Sequence, residues 1–317
     1  MKSLVTGCAG FAGSHLADLL LEQGEEVVAV LGINEDRANL RPIEKSLQIE
    51  SADLRDFARW LELLRSLRPQ RIYHLAAFSS PVKSFANPLE TYAVNFTGTL
   101  NLLSAWLRVG MDCRFLFVSS AEVYGAAPPE ELPLREDAEL RPLNPYAGSK
   151  AAAEILAAQF FRSHGLPIVR VRPFNHTGPR QSPEFVCSRL ARQAAEIELG
   201  LRPPLIVAGN TQAVRDFSDV RDIVRGYHEL LEKGEPGEVY QLCSGRGVSI
   251  DFVLRTLLDL TSKPAGLQVD PSLLRPIEAA EVWGDYSKAR LAVGWEPRYQ
   301  LVDTLRALKD YWLSRLS

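Results

Sequence analysis

Along the first half of the chain, short apolar and β-branched runs alternate with longer stretches in which Leu, Ala and aromatic residues recur at three- and four-residue spacing. The runs Ser3–Thr6, Glu26–Val30, Leu47–Glu50, Arg71–Leu75, Arg114–Ser119 and Ile168–Arg172 predict strands. Between them, His15–Gln23, Asp56–Ser66, Pro88–Val109 and Tyr146–His164 predict helices. This alternation predicts an α/β fold with a doubly wound parallel sheet. After Arg172 the pattern changes, and Pro173, Pro179, Pro183, Pro203 and Pro204 break the chain into loops around one predicted helix, Glu184–Leu199. A helical pattern over Val220–Glu232 and an apolar run Val239–Cys243 read as a return to the sheet. The expected organisation is a larger unit, 1–172 with 216–247, and a smaller discontinuous lobe, 173–215 with 248–317.

Composition narrows the class. With 317 residues, 46% of them hydrophobic and 24% charged, the chain has the apolar material for one large or two modest cores. A net charge of −3 offers no broad attraction to nucleic acid or to an anionic membrane, so any bound anion must be held by local groups. No stretch reaches the roughly 18 apolar residues that span a bilayer, and the N-terminus passes directly into glycines, so the expected location is the cytoplasm. Cys8, Cys113, Cys187 and Cys243 are scattered without a CxxC pair, a spacing that fits reduced, packed thiols and no metal site.

Chemistry first appears at the end of the first strand. Gly7-Cys8-Ala9-Gly10-Phe11-Ala12-Gly13 has GxxGxxG spacing at a strand–helix junction, where Gly7, Gly10 and Gly13 let the backbone approach a pyrophosphate at a helix N-terminus. The alternative is a tight turn alone. The second predicted strand ends in Val30-Leu31-Gly32-Ile33-Asn34, without the acidic residue that takes the ribose hydroxyls of NAD, while Arg37 and Arg41 lie just beyond. NADP(H) is therefore favoured over NAD(H), with Arg37 at the 2′-phosphate.

Two further arrays carry a reaction centre: Ser119-Ser120-Ala121-Glu122-Val123-Tyr124-Gly125 after the fifth strand, and Tyr146-Ala147-Gly148-Ser149-Lys150 at a helix start. Spacing of four places Tyr146 and Lys150 on one helical face, where the ammonium is expected to lower the phenol pKa. Such a tyrosine exchanges a proton with substrate, and Ser120 bonds the same substrate oxygen. A lone YxxxK is usually two surface residues; joined to the glycine loop and to Ser119-Ser120, it reads as catalytic.

Taken together, these segments resemble the extended short-chain dehydrogenase/reductases that modify nucleotide sugars. The likeness also covers Asp53-Leu54, His74-Leu75-Ala76-Ala77, Asn95 and Val123-Tyr124-Gly125. It implies Asp53 and Leu54 at the adenine, Leu75, Ala76, Ala77, Asn95, Pro173 and His176 along the cofactor, and Ser120, Tyr146 and Lys150 at the reacting carbon. Within the family, the run from Arg172 to Gln181, the segments around Arg215-Asp216-Phe217 and Leu274-Arg275-Pro276-Ile277-Glu278 resemble reductases of GDP-4-keto-6-deoxy-mannose. The implied partner is a GDP-sugar. Arg215 and Arg275 would fork onto its diphosphate; Asn175, Arg180, Glu278, Ser79 and Ser80 would complete its pocket. Structural ion pairs for the arginines, a buried satisfied His176 and loop capping by the serines are the alternatives. Glu122 stands where related dehydratases carry a base, which makes a GDP-mannose 4,6-dehydratase the competing reading; Ala121 offers no acid beside it, and the reductase is preferred. A non-catalytic dinucleotide sensor on the same fold has no use for the Ser120–Tyr146–Lys150 group. By the same resemblance, the helices Pro88–Val109 and Tyr146–His164 are expected to form a four-helix homodimer interface.

Overall fold

The computed structural model describes residues 1–273 and 279–317. The chain opens with β1 (Lys2–Thr6), α1 (Phe11–Glu22), β2 (Glu26–Leu31), β3 (Gln48–Ser51), α2 (Phe57–Leu67), β4 (Arg71–His74) and the short helices α3 (Pro81–Ala86) and α4 (Pro88–Tyr92). It continues through α5 (Gly98–Val109), β5 (Arg114–Val118), α6 (Pro145–His164), β6 (Ile168–Pro173), β7 (Asn175–Thr177), α7 (Val186–Leu199), β8 (Leu205–Ala208) and β9 (Val214–Asp219). The last elements are α8 (Val220–Lys233), β10 (Val239–Leu242), β11 (Gly247–Ser249), α9 (Ile250–Asp259), β12 (Gly266–Val269), β13 (Glu281–Val282), α10 (Ser287–Val293) and α11 (Leu301–Leu316).

Seven parallel strands form the main sheet in the order β10-β6-β5-β4-β1-β2-β3. Both faces are covered, so the strands read as apolar runs rather than alternating ones. On one face Leu16, Leu20, Val224 and Leu230 pack on Val5, Val27 and Val169; on the other Trp60, Leu64, Leu103 and Trp106 pack on Leu4, Ile72 and Phe115. The order reverses direction between β1 and β4, and that switch point opens a crevice at the carboxyl ends of the strands. A separate core of Leu190, Ala194, Ile206, Val253, Leu257, Leu305 and Leu308 holds α7, α9 and α11 together away from the sheet. Among the described residues, no helix is long and apolar enough to cross a membrane.

The strands fall where the apolar runs predict them, and two predicted helices differ. The helix expected from His15 begins at Phe11, because the glycine loop itself supplies its first turn. The span expected as one helix, Pro88–Val109, is divided by a π-helical stretch at Ala93–Thr97. Its wider turn brings Asn95 inward: the amide oxygen accepts from Phe78 N at 2.7 Å, and Nδ2 donates to Ser149 Oγ at 2.9 Å.

Candidate active site

A cleft of about 890 Å³ runs across the carboxyl ends of β1 to β6. At its β1 end the chain turns at Gly7, φ +67°, where a Cβ would stand 2.8 Å from Ala76 N. A Cβ on Gly13 would meet Gly7 O at 2.2 Å, so the loop and α1 close on each other only through glycine. Gly10 caps α1 without a side-chain hydrogen bond and no acidic residue lies in the first turn, which leaves the helix N-terminus open to an anion. This backbone cradle fits a dinucleotide pyrophosphate. Phe11, Ala12, Leu75, Ala76 and Ala77 line the adjoining wall, with Asp53 and Leu54 beyond them. Arg55 donates to Asp53 at 2.6 Å and holds that carboxyl below the usual range.

The reacting end lies where β5 and α6 converge. Asn144 caps α6 by accepting from Ala147 N at 2.8 Å, and Pro145 follows in the first turn, which aims Tyr146 into the cleft. Ser120 caps a short 3₁₀ turn, Ala121–Tyr124, and hydrogen-bonds the Tyr146 phenol. Lys150 is buried with its ammonium 5.0 Å from the Phe117 ring, and burial pushes it down to about 8 while Glu154 opposes the shift. The phenol departs from the expectation of a lowered pKa. Burial and then the Glu122 carboxylate push it up to about 12 against the Ser120 hydrogen bond. At neutral pH Tyr146 is a protonated donor.

Several expected residues take other positions. Arg37 is outside the cleft wall, 3.4 Å from Glu44. In its place Glu35 lines the cleft, its carboxylate accepting from Gly32 N at 2.7 Å, and Asn39 ties this loop to Ala9 O at 3.0 Å. The expectation that the wall after β2 lacks a carboxylate is thus corrected: Glu35 folds back onto the strand end from five residues beyond Val30. Asn95 also lies outside the wall and braces the loop after β4 against α6. Ser80 caps α3 by accepting from Lys83 N at 3.3 Å, whereas Ser79 faces the cleft. Arg215 is buried and outside the cleft, donating to Val214 O at 2.8 Å and Ala280 O at 3.3 Å. Arg275 and Glu278 fall outside the described residues.

Pro173, Asn175, His176, Arg180 and Glu122 do line the cleft. His176 stacks on Phe11 at 5.7 Å and meets Phe174 O at 2.9 Å through Nδ1, and burial lowers its pKa. Arg180 is 2.7 Å from Asp18 of α1. Asn144 Nδ2 donates to Glu122 Oε2 at 3.3 Å. The sequence reading missed Ser119, whose hydroxyl lies in the cleft wall, buried, with no partner among the described residues. A buried hydroxyl left unpaired is costly, which marks this one as a donor for a ligand. Its position beside Ser120 was the only signal.

A glycine cradle at the first strand–helix junction, with serine, tyrosine and lysine converging at the sheet's switch point, defines the extended short-chain dehydrogenase/reductase class. The family model described as GDP-mannose 4,6 dehydratase matches residues 4–308, and the chain belongs to that family. It is 35% identical to the GDP-6-deoxy-D-mannose reductase of Pseudomonas aeruginosa over 99% of this chain and 98% of the relative. The structure of RMD from P. aeruginosa complexed with NADPH superposes with a TM-score of 0.87 at 33% identity, covering 99% of each chain. A Thermus thermophilus UDP-glucose 4-epimerase complexed with NAD gives a TM-score of 0.87 at 30% identity, over 98% of this chain and 99% of that one.

Proposed function

We propose that this protein reduces the 4-keto group of GDP-4-keto-6-deoxy-D-mannose to give a GDP-6-deoxyhexose such as GDP-D-rhamnose, with NADPH as reductant. The observation that carries the reading is the convergence of Ser120, Tyr146 and Lys150 in one cleft, with Lys150 one helical turn from Tyr146 on α6. A bound reduced nicotinamide supplies the hydride that adds to C4. Ser120 holds the carbonyl oxygen, Tyr146 gives it a proton as negative charge develops, and the Lys150 ammonium stabilises the phenolate left behind. Gly7, Gly10 and Gly13 cradle the pyrophosphate; Asp53 and Leu54 face the adenine; Asn175, Arg180 and Ser79 face the nucleotide sugar.

Support for NADP(H) comes from the NADPH complex of the P. aeruginosa relative rather than from Arg37. Glu35 gives ribose hydroxyls a partner, so the cofactor preference is tested by comparing kcat/KM for NADPH and NADH. A second reading, GDP-mannose 4,6-dehydratase, is favoured by Glu122, a carboxylate in the cleft that acts on Tyr146. Purified protein with NADPH and the 4-keto sugar should lose nicotinamide absorbance. Release of a keto product from GDP-mannose alone would favour the dehydratase instead.

The division at 172/173, 215/216 and 247/248 belongs to the same reading, the smaller lobe holding the nucleotide sugar. So does a cytoplasmic homodimer: the four cysteines are unpaired and buried, and Leu89, Tyr92 and Ile155 leave an apolar stripe exposed along α4 and α6. Light scattering should give twice the 35.2 kDa chain mass.

A further inference from the structure

Beneath the reaction centre lies a buried polar group that the proposed chemistry does not use. Arg172, on β6, is 5% exposed and grips Glu154 with two donors, Nε at 3.0 Å and Nη2 at 2.6 Å. Its third nitrogen, Nη1, donates to the Tyr124 hydroxyl at 2.7 Å and to Glu136 O at 2.9 Å. The guanidinium carbon also lies 4.9 Å from the Tyr124 ring centre, and Gln241 Nε2 donates to the same hydroxyl at 2.8 Å. Tyr124 and Glu154 are themselves buried.

These partners lie in the two segments that carry the reacting groups. Tyr124 closes the short turn that Ser120 opens. Glu154 follows Lys150 by four residues on α6, as Lys150 follows Tyr146, so phenol, ammonium and carboxylate succeed one another on one helical face. A buried ion pair seldom contributes net stability, because desolvation offsets the attraction and apolar replacements are often as stable. Stability alone therefore gives little reason for this arrangement. Its geometry gives another: the planar guanidinium fixes the direction of both partners at once.

We propose that Arg172 is a positioning residue for the reaction, tying the turn that carries Ser120 to the helix that carries Tyr146 and Lys150 through Tyr124 on one side and Glu154 on the other. Ser120 and Tyr146 must meet on one substrate oxygen, and they arrive from different elements. Arg172 touches both elements from the side of β6. Glu154, held in place by it, also opposes the burial that lowers Lys150.

The inference rests on the proposed catalytic roles, and its test separates the two. Tyr124→Phe removes one hydroxyl while leaving Glu154 paired, so it should fold; Arg172→Lys keeps the charge but loses the fork. Expected are falls in kcat of about tenfold and about a hundredfold, with KM for the sugar and Kd for the dinucleotide changed less than about twofold. Crystal structures of both variants should show the Ser120 hydroxyl beyond hydrogen-bond reach of Tyr146, a readout independent of which sugar the enzyme takes. A folded Tyr124→Phe with kcat within about twofold of the parent, or variant structures with the Ser120–Tyr146 contact unchanged, would overturn the proposal.

Discussion

The two walls of the cleft are built on different principles. The cofactor wall is backbone brought close to backbone: Gly7 against Ala76 and Gly13 against Gly7, with no long side chain between them. The opposite wall is made of side chains, such as Arg180 paired to Asp18, and outside it Lys83 pairs with Glu184 at 2.5 Å. In the first wall one added methyl group collides with the main chain. In the second, a lost contact is shared among neighbours and solvent. Binding of the dinucleotide should accordingly be intolerant of substitution, and binding of the sugar graded.

The largest effect that would sharpen this contrast is chemical. Tyr146→Phe removes the proposed proton donor and should lower kcat by about a thousandfold, with dinucleotide Kd unchanged by fluorescence titration. Next is Gly13→Ala, whose Cβ would overlap Gly7 O; dinucleotide Kd should rise at least about tenfold while the fold persists by circular dichroism. An unchanged Kd would break the claim that this wall is built by backbone contact. A smaller and gradual effect is expected with pH. Lys150 is charged below its pKa, which burial lowers to about 8, whereas Tyr146 stays protonated to about 12. The kcat/KM profile should therefore fall as pH rises through about 8, and a profile flat to pH 10 would show that the Lys150 charge does not govern the rate. At the foot of the scale, Lys83→Ala removes an exposed ion pair and should alter the sugar KM by less than about threefold, since such pairs contribute little in water.

The same difference explains how much was legible in the sequence. The glycine loop, the β5 end and the start of α6 are each continuous segments whose residues act where they stand, so spacing alone placed Gly7, Gly10, Gly13, Ser120, Tyr146 and Lys150 in one cleft. Residues whose position depends on packing were less readable. Arg37 looked free in sequence, yet Glu44 seven residues later takes it, and Glu35 enters the wall by folding back on Gly32. Asn95 lay in an apparently regular helix, and only the π-helical turn reveals that it braces a loop. The phenol pKa was misjudged for a related reason: four-residue spacing reports neither the depth of burial nor the Glu122 carboxylate, which both push it up. Beyond α8, helices α9 and α11 pack on α7 to build their own core, a contact invisible to a local pattern.

In the proposed reaction this centre delivers hydride to C4 of a nucleotide ketosugar as Tyr146 protonates the oxygen. Incubating the protein with GDP-4-keto-6-deoxy-mannose and NADPH deuterated at the transferring position, then locating the label by NMR, tests it most directly. One deuterium is expected at C4 of the product, and none with Tyr146→Phe. Deuterium at C6, or an unlabelled sugar alongside oxidised cofactor, would contradict it.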